Sequence, residues 1–153
     1  MSSVPVSPVA HVRGGRVAPQ DDHWGSERSV IVLADAFAPE ALFGLDAFSH
    51  AEIVFQFHLV PDGKVETGAR RPRGNPDWPP VGIFAQRGKN RPNRIGVTVC
   101  QIVSVNGREI EVEGLDAIDG TPVLDIKPVM REFLPRGEVR QPDWSRELMK
   151  DYW

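Results

Sequence analysis

"IGVTVCQIVSVNGREIEVEGL", residues 95–115, is the stretch whose reading decides the fold. Asn106-Gly107 is a preferred type I′ turn dipeptide, and runs of alternating residues flank it on both sides. A two-residue loop there pairs Val105 with Arg108, Val103 with Ile110 and Gln101 with Val112. On that register Val97, Val99, Val103, Ile110 and Val112 share one face, while Glu109, Glu111 and Glu113 point the other way. The stretch therefore reads as a β-hairpin with one buried face. Cys100, inside the run, reads as a buried and inert thiol.

The neighbouring segments continue the pattern. "SVIVLAD" (29–35) is a short β-branched run, and "AEIVFQFHLV" (51–60) alternates Ile53, Phe55, Phe57 and Leu59 against Glu52, Gln56 and His58. Both read as strands, the second half-buried. "FAPEALFGL" between them is expected to hold one helical turn started by Pro39. "ARRPRGNPDWPP" (69–80) carries too many prolines for a strand ladder and reads as a loop. Past the hairpin, "GLDAIDGTPVLDIKP" (114–128) is turn-rich, with a last strand at Val123, Leu124 and Ile126. The tail "QPDWSRELMKDYW" is expected to form a short helix capped by Asp143, with Trp144, Leu148 and Tyr152 or Trp153 along one docking face. Several short strands joined by Gly/Pro turns indicate a mainly-β fold, a small barrel or sandwich. No GxGxxG follows a first strand, so a doubly wound dinucleotide fold has no support.

Composition agrees with one domain. The 153 residues are 41% hydrophobic and 25% charged, with 14 prolines and 14 glycines, which favours a loop-rich architecture over a helical bundle. Residues 1–8 are expected to be a flexible N-terminus, and 9–153 a single domain ending in the short helix. The lone cysteine excludes an intrachain disulfide and a cysteine metal cluster. No apolar run is long enough to span a bilayer, and the N-terminus lacks the order of a signal peptide, so a cytoplasmic location is expected.

Charge is unevenly distributed. The chain has a net charge of −3, yet between Thr67 and Arg108 eight basic residues stand against Asp77 alone. They include Arg70, Arg71, Arg73, Arg87, Lys89, Arg91 and Arg94. Such a segment can form a positive face for a polyanion, and a solvated loop would carry the same charges. Asp116 and Asp119 could accept from a ribose diol, a cation or an amine; Asp119-Gly120 is also a turn signature in its own right. Four histidines lack metal-ligand spacing, no HExxH or GxSxG is present, and no metal site is expected.

Four blocks in order carry a family resemblance: "GLDAFSH" (44–50), "FQFH" (55–58), "GIFAQRGKNRPNRIGV" (82–97) and "GLDAIDGTPVLDIKP" (114–128). They resemble the signature blocks of the TsaA-like family, also called YaeB-like or TrmO-like. Arg87, Arg91, Pro92, Asn93, Ile95 and Gly96 match its third block. Asp116, Asp119, Gly120 to Val123 and Asp125 to Pro128 match its fourth. The resemblance spans roughly residues 9–135.

It implies a β-barrel that binds S-adenosyl-L-methionine (SAM), usually as a homodimer, and methylates N6 of a threonylcarbamoyl-adenosine beside the anticodon of tRNA. Carried over residue by residue, the cofactor site would use His58, Leu59, Arg87, Asp116, Ala117, Ile118 and Asp119. His58, Asp116 and Asp119 are the candidates for removing the acceptor's proton, and the choice among them stays open. Arg70, Arg71, Arg73, Lys89, Arg91 and Arg94 would hold RNA phosphates. Three departures stand out. Arg94 replaces a family proline, and Lys89-Asn90 makes the loop more basic. "APQDDHWGSE" occupies the place of an early Pro-Arg-Gln segment. The chain ends at Trp153, without the smaller C-terminal domain of the characterised tRNA enzymes. A SAM-dependent methyltransferase is the first expectation, and a SAM- or RNA-binding module without turnover the second.

Overall fold

The computed structural model describes residues 2–153. Its strands are β1 (Ala10–Arg13), β2 (Arg28–Leu33), β3 (His50–Gln56), β4 (Ala69–Arg70), β5 (Val81–Gly82), β6 (Ile95–Asn106), β7 (Glu109–Glu113) and β8 (Pro122–Pro128), and its one α-helix is α1 (Asp143–Met149). Six strands close into a barrel in the order β1-β2-β7-β6-β3-β8, with β8 returning to β1 and every neighbouring pair antiparallel. β4 and β5 form a separate ribbon. The mainly-β barrel expected from the sequence is the fold observed.

Period-two alternation fills the interior. β2 buries Ser29, Ile31 and Leu33, β3 buries Ala51, Ile53 and Phe55, and β7 buries Ile110 and Val112. Ala10, Val12, Cys100 and Val123 complete the ring, and Leu42, Leu45, Leu115 and Ala117 close its ends. Each fully buried large side chain contributes roughly 1.5–3 kcal/mol. The outward glutamates of β7 pair with Arg13 and Arg28, as Arg13 with Glu109 and Arg28 with Glu111 and Glu113.

The hairpin forms, with a corrected register. The turn is centred on Gly107-Arg108 rather than Asn106-Gly107, because Asn106 pairs with Glu109 and Val105 with Ile110. Gly107 takes φ 62°, the positive first central residue of a type II′ turn. An irregularity between Ile102 and Ser104 shifts the pairing again, so that Ile102 meets Val112 and Gln101 meets Glu113. β6 consequently turns Gly96, Thr98 and Cys100 inward and leaves Val99 and Val103 exposed, the reverse of the valine face expected for this strand. Ile110 and Val112 lie inside as read.

Other boundaries moved. β3 stops at Gln56, and residues 57–60 turn back, with Val60 N–H donating to the Phe57 carbonyl. Phe57 still packs edge-on against Phe55, with centroids 5.3 Å apart. Residues 69–80, read as loop alone, contribute β4 to the short ribbon. Pro39 opens a 3-10 turn to Leu42, as expected. Pro142, not Asp143, holds the cap position of α1; Asp143 is its first helical residue and no side chain caps it. Of the stretch 1–8, Met1 lies outside the described residues, and residues 2–8 are exposed and outside any strand.

Topology sorts the connections. The β6–β7 hairpin and the 34–49 connection lie at one end of the barrel. Residues 14–27, 57–94 and 114–121 all emerge at the other. β8 finishes at the hairpin end, yet α1 is found among the loops of the opposite end, so residues 129–142 must run back along the outside. They do so as exposed chain from Met130 onward.

Candidate functional site

The loop end gathers the residues that the sequence singled out. Between β7 and β8 the chain buries Leu115, Ala117 and Ile118, which turns the intervening Asp116 side chain away from them. Thr98 of β6, one of the few buried polar residues among those described, donates its hydroxyl to Asp116 Oδ1. The Tyr152 hydroxyl, from the tail beyond α1, donates to Oδ2 of the same carboxylate. Asp119 is exposed, with Oδ1 accepting the Gly14 N–H at 2.8 Å. Its own N–H and that of Gly120 donate to the Arg16 and Val12 carbonyls, each at 2.7 Å, which ties this turn to β1 and the loop after it.

His58 stands beside this turn: a Cβ built on Gly120 would lie 3.9 Å from its Nε2. Among the described residues no side chain or backbone group hydrogen-bonds to its ring. Leu59 is 57% exposed. Arg87 follows a 3-10 turn at Ile83–Ala85 rather than a strand end. Its Nη2 donates to the Val97 carbonyl at 2.6 Å, next to Thr98, and the residue as a whole is exposed.

The electrostatics join these pieces. Burial pushes the Tyr152 phenol well above the usual tyrosine range, and Asp116 pushes it further through charge and hydrogen bond. Arg87 and Arg73 oppose that rise, so both guanidinium groups lie within electrostatic reach of the tyrosine. Burial also pushes the Cys100 thiol up to about 12, with the Asp116 charge adding to the effect. Cys100 is the inert buried thiol expected.

The basic residues are divided between shape and exposure. Arg71 donates to the Pro76 and Trp78 carbonyls, at 3.1 and 2.6 Å. Arg73 pairs with Asp22 at 2.9 Å and more distantly with Asp21. Arg91 donates to the Gln86 carbonyl at 2.6 Å, and Arg94 to the Val60 carbonyl at 2.7 Å and Asp62 at 3.0 Å. Arg70 packs against Gly88, and its Nε is buried without a partner among the described residues. Lys89 is exposed and has no ion pair among the described residues. The segment 82–97 is therefore held mainly by its own arginines.

The matching family model describes the tRNA-methyltransferase O N-terminal domain, and it covers residues 14–133. The chain belongs to this family. A human relative in it, a tRNA (adenine(37)-N6)-methyltransferase, is 39% identical over 102 residues, 67% of this chain and 23% of its own. A probable S-adenosyl-L-methionine-binding protein of Methanothermobacter thermautotrophicus is 34% identical over 119 residues, covering 76% of this chain and 80% of its own. The crystal structure of TrmO from Pseudomonas aeruginosa superposes with a TM-score of 0.70 at 27% identity, covering 91% of this chain and 62% of its own. The chain thus spans under a quarter of the human relative and under two thirds of the solved TrmO chain.

Residues 134–153, with α1 and the tail, lie beyond the part matched by the TrmO family model. Three contributors at this end escaped the sequence reading. Thr98 was not singled out, and it alternates with the valines that the sequence reading placed inside. Gln86, whose buried amide donates to the Arg70 and Val81 carbonyls at 3.0 and 2.9 Å, carried no motif of its own beyond its place before Arg87. Tyr152 was read as part of a docking face. Its singularity was the available signal, because it is the chain's one tyrosine.

Proposed function

We propose that this chain binds S-adenosyl-L-methionine at the Asp116 end of the barrel and methylates N6 of an adenosine in tRNA, a threonylcarbamoyl-adenosine beside the anticodon or a close relative of it. The observation that carries the proposal is the convergence of His58, Arg87 and the Asp116–Asp119 turn at one end of a TrmO-family barrel.

The donor and acceptor set fits the cofactor. Arg87 keeps guanidinium N–H groups free for the methionine carboxylate. Asp119 keeps one carboxylate oxygen free, and Asp116 retains lone pairs beyond its two hydroxyl donors, for the ribose diol or the ammonium group. Leu59 supplies an apolar edge, and the backbone of Ala117 and Ile118 supplies polar groups beside it. When bound, the cofactor supplies an electrophilic methyl group on a sulfonium. The chain's own task is to align the acceptor and take its proton, since positioning contributes much of the acceleration in such a displacement. His58 is the favoured base. Asp116 already accepts two hydroxyl hydrogens, and Asp119 holds the Gly14 N–H, whereas the imidazole has no competing partner among the described residues.

Lys89 is best placed to meet RNA phosphate, with Arg70, Arg71, Arg73, Arg91 and Arg94 adding positive potential while they hold the loops. We further propose a cytoplasmic homodimer. Among the described residues no helix is long and apolar enough to cross a membrane. The outer face of β6 exposes Ile95, Val99 and Val103, with Val97 opposite Val54 of β3, an apolar stripe suited to a second copy.

Binding without turnover is the second reading, favoured by the archaeal relative, whose whole length is largely covered and whose name states binding alone. SAM is expected to raise the thermal midpoint of the purified protein, and Arg87→Ala to abolish the rise; no shift at millimolar SAM would count decisively against the cofactor. Label transfer from methyl-labelled SAM to tRNA from a methylation-deficient strain separates enzyme from binding module.

A further inference from the structure

The segment that follows α1 reaches the site that the family motifs outline. After β8 the chain returns along the outside of the barrel and forms α1, whose Glu147 accepts the Trp78 indole N–H at 2.7 Å. The half-buried Trp144 and Leu148 lie on the helix's inner face. Beyond it, the Asp151 and Tyr152 carbonyls accept the His23 and Trp24 N–H groups at 2.9 and 2.8 Å. Trp24 is buried under the Arg16 guanidinium, 4.2 Å from its ring centre. A Cβ on Gly25 would lie 2.7 Å from the Trp153 carbonyl carbon, so a glycine there lets the tail lie flat on this segment. These are the residues that replace the early Pro-Arg-Gln of the family pattern.

We infer that Tyr152 is a positioning residue for Asp116: the tail delivers its hydroxyl to Oδ2 while Thr98 holds Oδ1, fixing the rotation of the carboxylate that the ligand meets. The role rests on the proposed cofactor site, and deepens it by adding the tail to that site. A carboxylate gripped at both oxygens by hydroxyl donors is held in one orientation, with its remaining lone pairs directed by the grip. The phenol remains a donor throughout the physiological range, because burial and the Asp116 charge both oppose its ionisation. Thr98 is fixed in turn by the β6–β3 ladder, where it pairs with Ile53. The opposite arrangement, a tail that competes with ligand for Asp116, would change affinity in the other direction.

The single tyrosine makes both parts measurable. Tyr152→Phe keeps the ring and removes the hydroxyl. Calorimetric titration with SAM should give a dissociation constant about tenfold weaker than wild type, the scale of one hydrogen bond to a charged group. The ligand-free thermal midpoint should change little. Unchanged affinity, or tighter binding as a competing tail would give, overturns the inference. Ultraviolet titration of the phenol is the second measurement and needs no ligand. In wild type it should ionise above the ordinary tyrosine range, and Asp116→Asn should bring the midpoint down; equal midpoints mean that the pair does not exist, and sink the proposal even if Tyr152→Phe folds poorly. Wild-type protein that fails to bind SAM, with a phenol that responds to Asp116→Asn, would refute the cofactor reading instead, and this role with it.

Discussion

Gly96 sits where the barrel wall meets the site, two residues before Thr98. A Cβ there would lie 2.7 Å from Phe55 Cζ and 2.8 Å from Phe57 Cζ, two rings that already pack edge to face. Neither ring can retreat without disturbing the core. Gly96→Ala is therefore expected to cost about 1–3 kcal/mol, the usual range for overpacking a filled interior. Urea denaturation measures it, and a midpoint equal to wild type would show that the rings have room. The sequence disclosed some residues at this scale and hid others. Cys100 was legible as a buried thiol because it stands in a β-branched run, and Arg87 because its block is so distinctive. Thr98 and Tyr152 were not, since a hydroxyl 18 residues from Asp116 and another 36 away acquire meaning only through the fold.

At the scale of elements, β6 carries the clearest lesson. Its residues alternate between valines at 97, 99 and 103 and the set Thr98, Cys100 and Ile102, and either face could pass for the inner one. Hydrophobicity favours the valines. The barrel selects the other set, because it places Thr98 on Asp116 and Gly96 under the two phenylalanines. The turn shifted for a local reason: Gly107 suits the first central position of a type II′ turn as readily as the second of type I′. β7 survived the error, since its glutamates mark the outer face unambiguously. The outward valines then need a cover, and the proposed second copy supplies it. Val99→Lys, which stands opposite Glu52, should convert a dimer to a monomer in size-exclusion light scattering, while altering monomer stability by no more than about 0.5 kcal/mol, as for most exposed positions. A wild-type protein that is monomeric at high micromolar concentration would rule out that interface.

For the whole molecule, the barrel was legible from short alternating strands separated by glycine and proline, but its loop end was not. Antiparallel closure decides which connections share an end, and pairing partners cannot be read from periodicity. The folded chain holds two groups whose protons the unfolded chain releases more readily, Cys100 inside the barrel and Tyr152 against its loop end. The Cys100 thiol moves from an ordinary 9.0 to about 12, and the Tyr152 phenol also moves upward. Because the unfolded chain loses these protons first, their contribution to stability is full below the unfolded pKa values and is lost as pH rises toward the folded ones. The urea midpoint is thus expected to fall above pH 9. Cys100→Ala should flatten part of that slope, and identical slopes would show that the thiol takes no part.

In the ring of six strands every member has a strand neighbour on both sides, although β1 and β8 meet over only two residue pairs. An open sheet can recruit a passing strand through bare N–H and C=O groups, with little regard to what that strand says. On the proposed reading, RNA, cofactor and second copy alike would be recognised mainly by side chains and loops, so that each encounter is chemically addressed. The frame also stays indifferent to changes at its rim. Exposed positions of the loop end can change what is recognised while the wall that holds Thr98 remains the same.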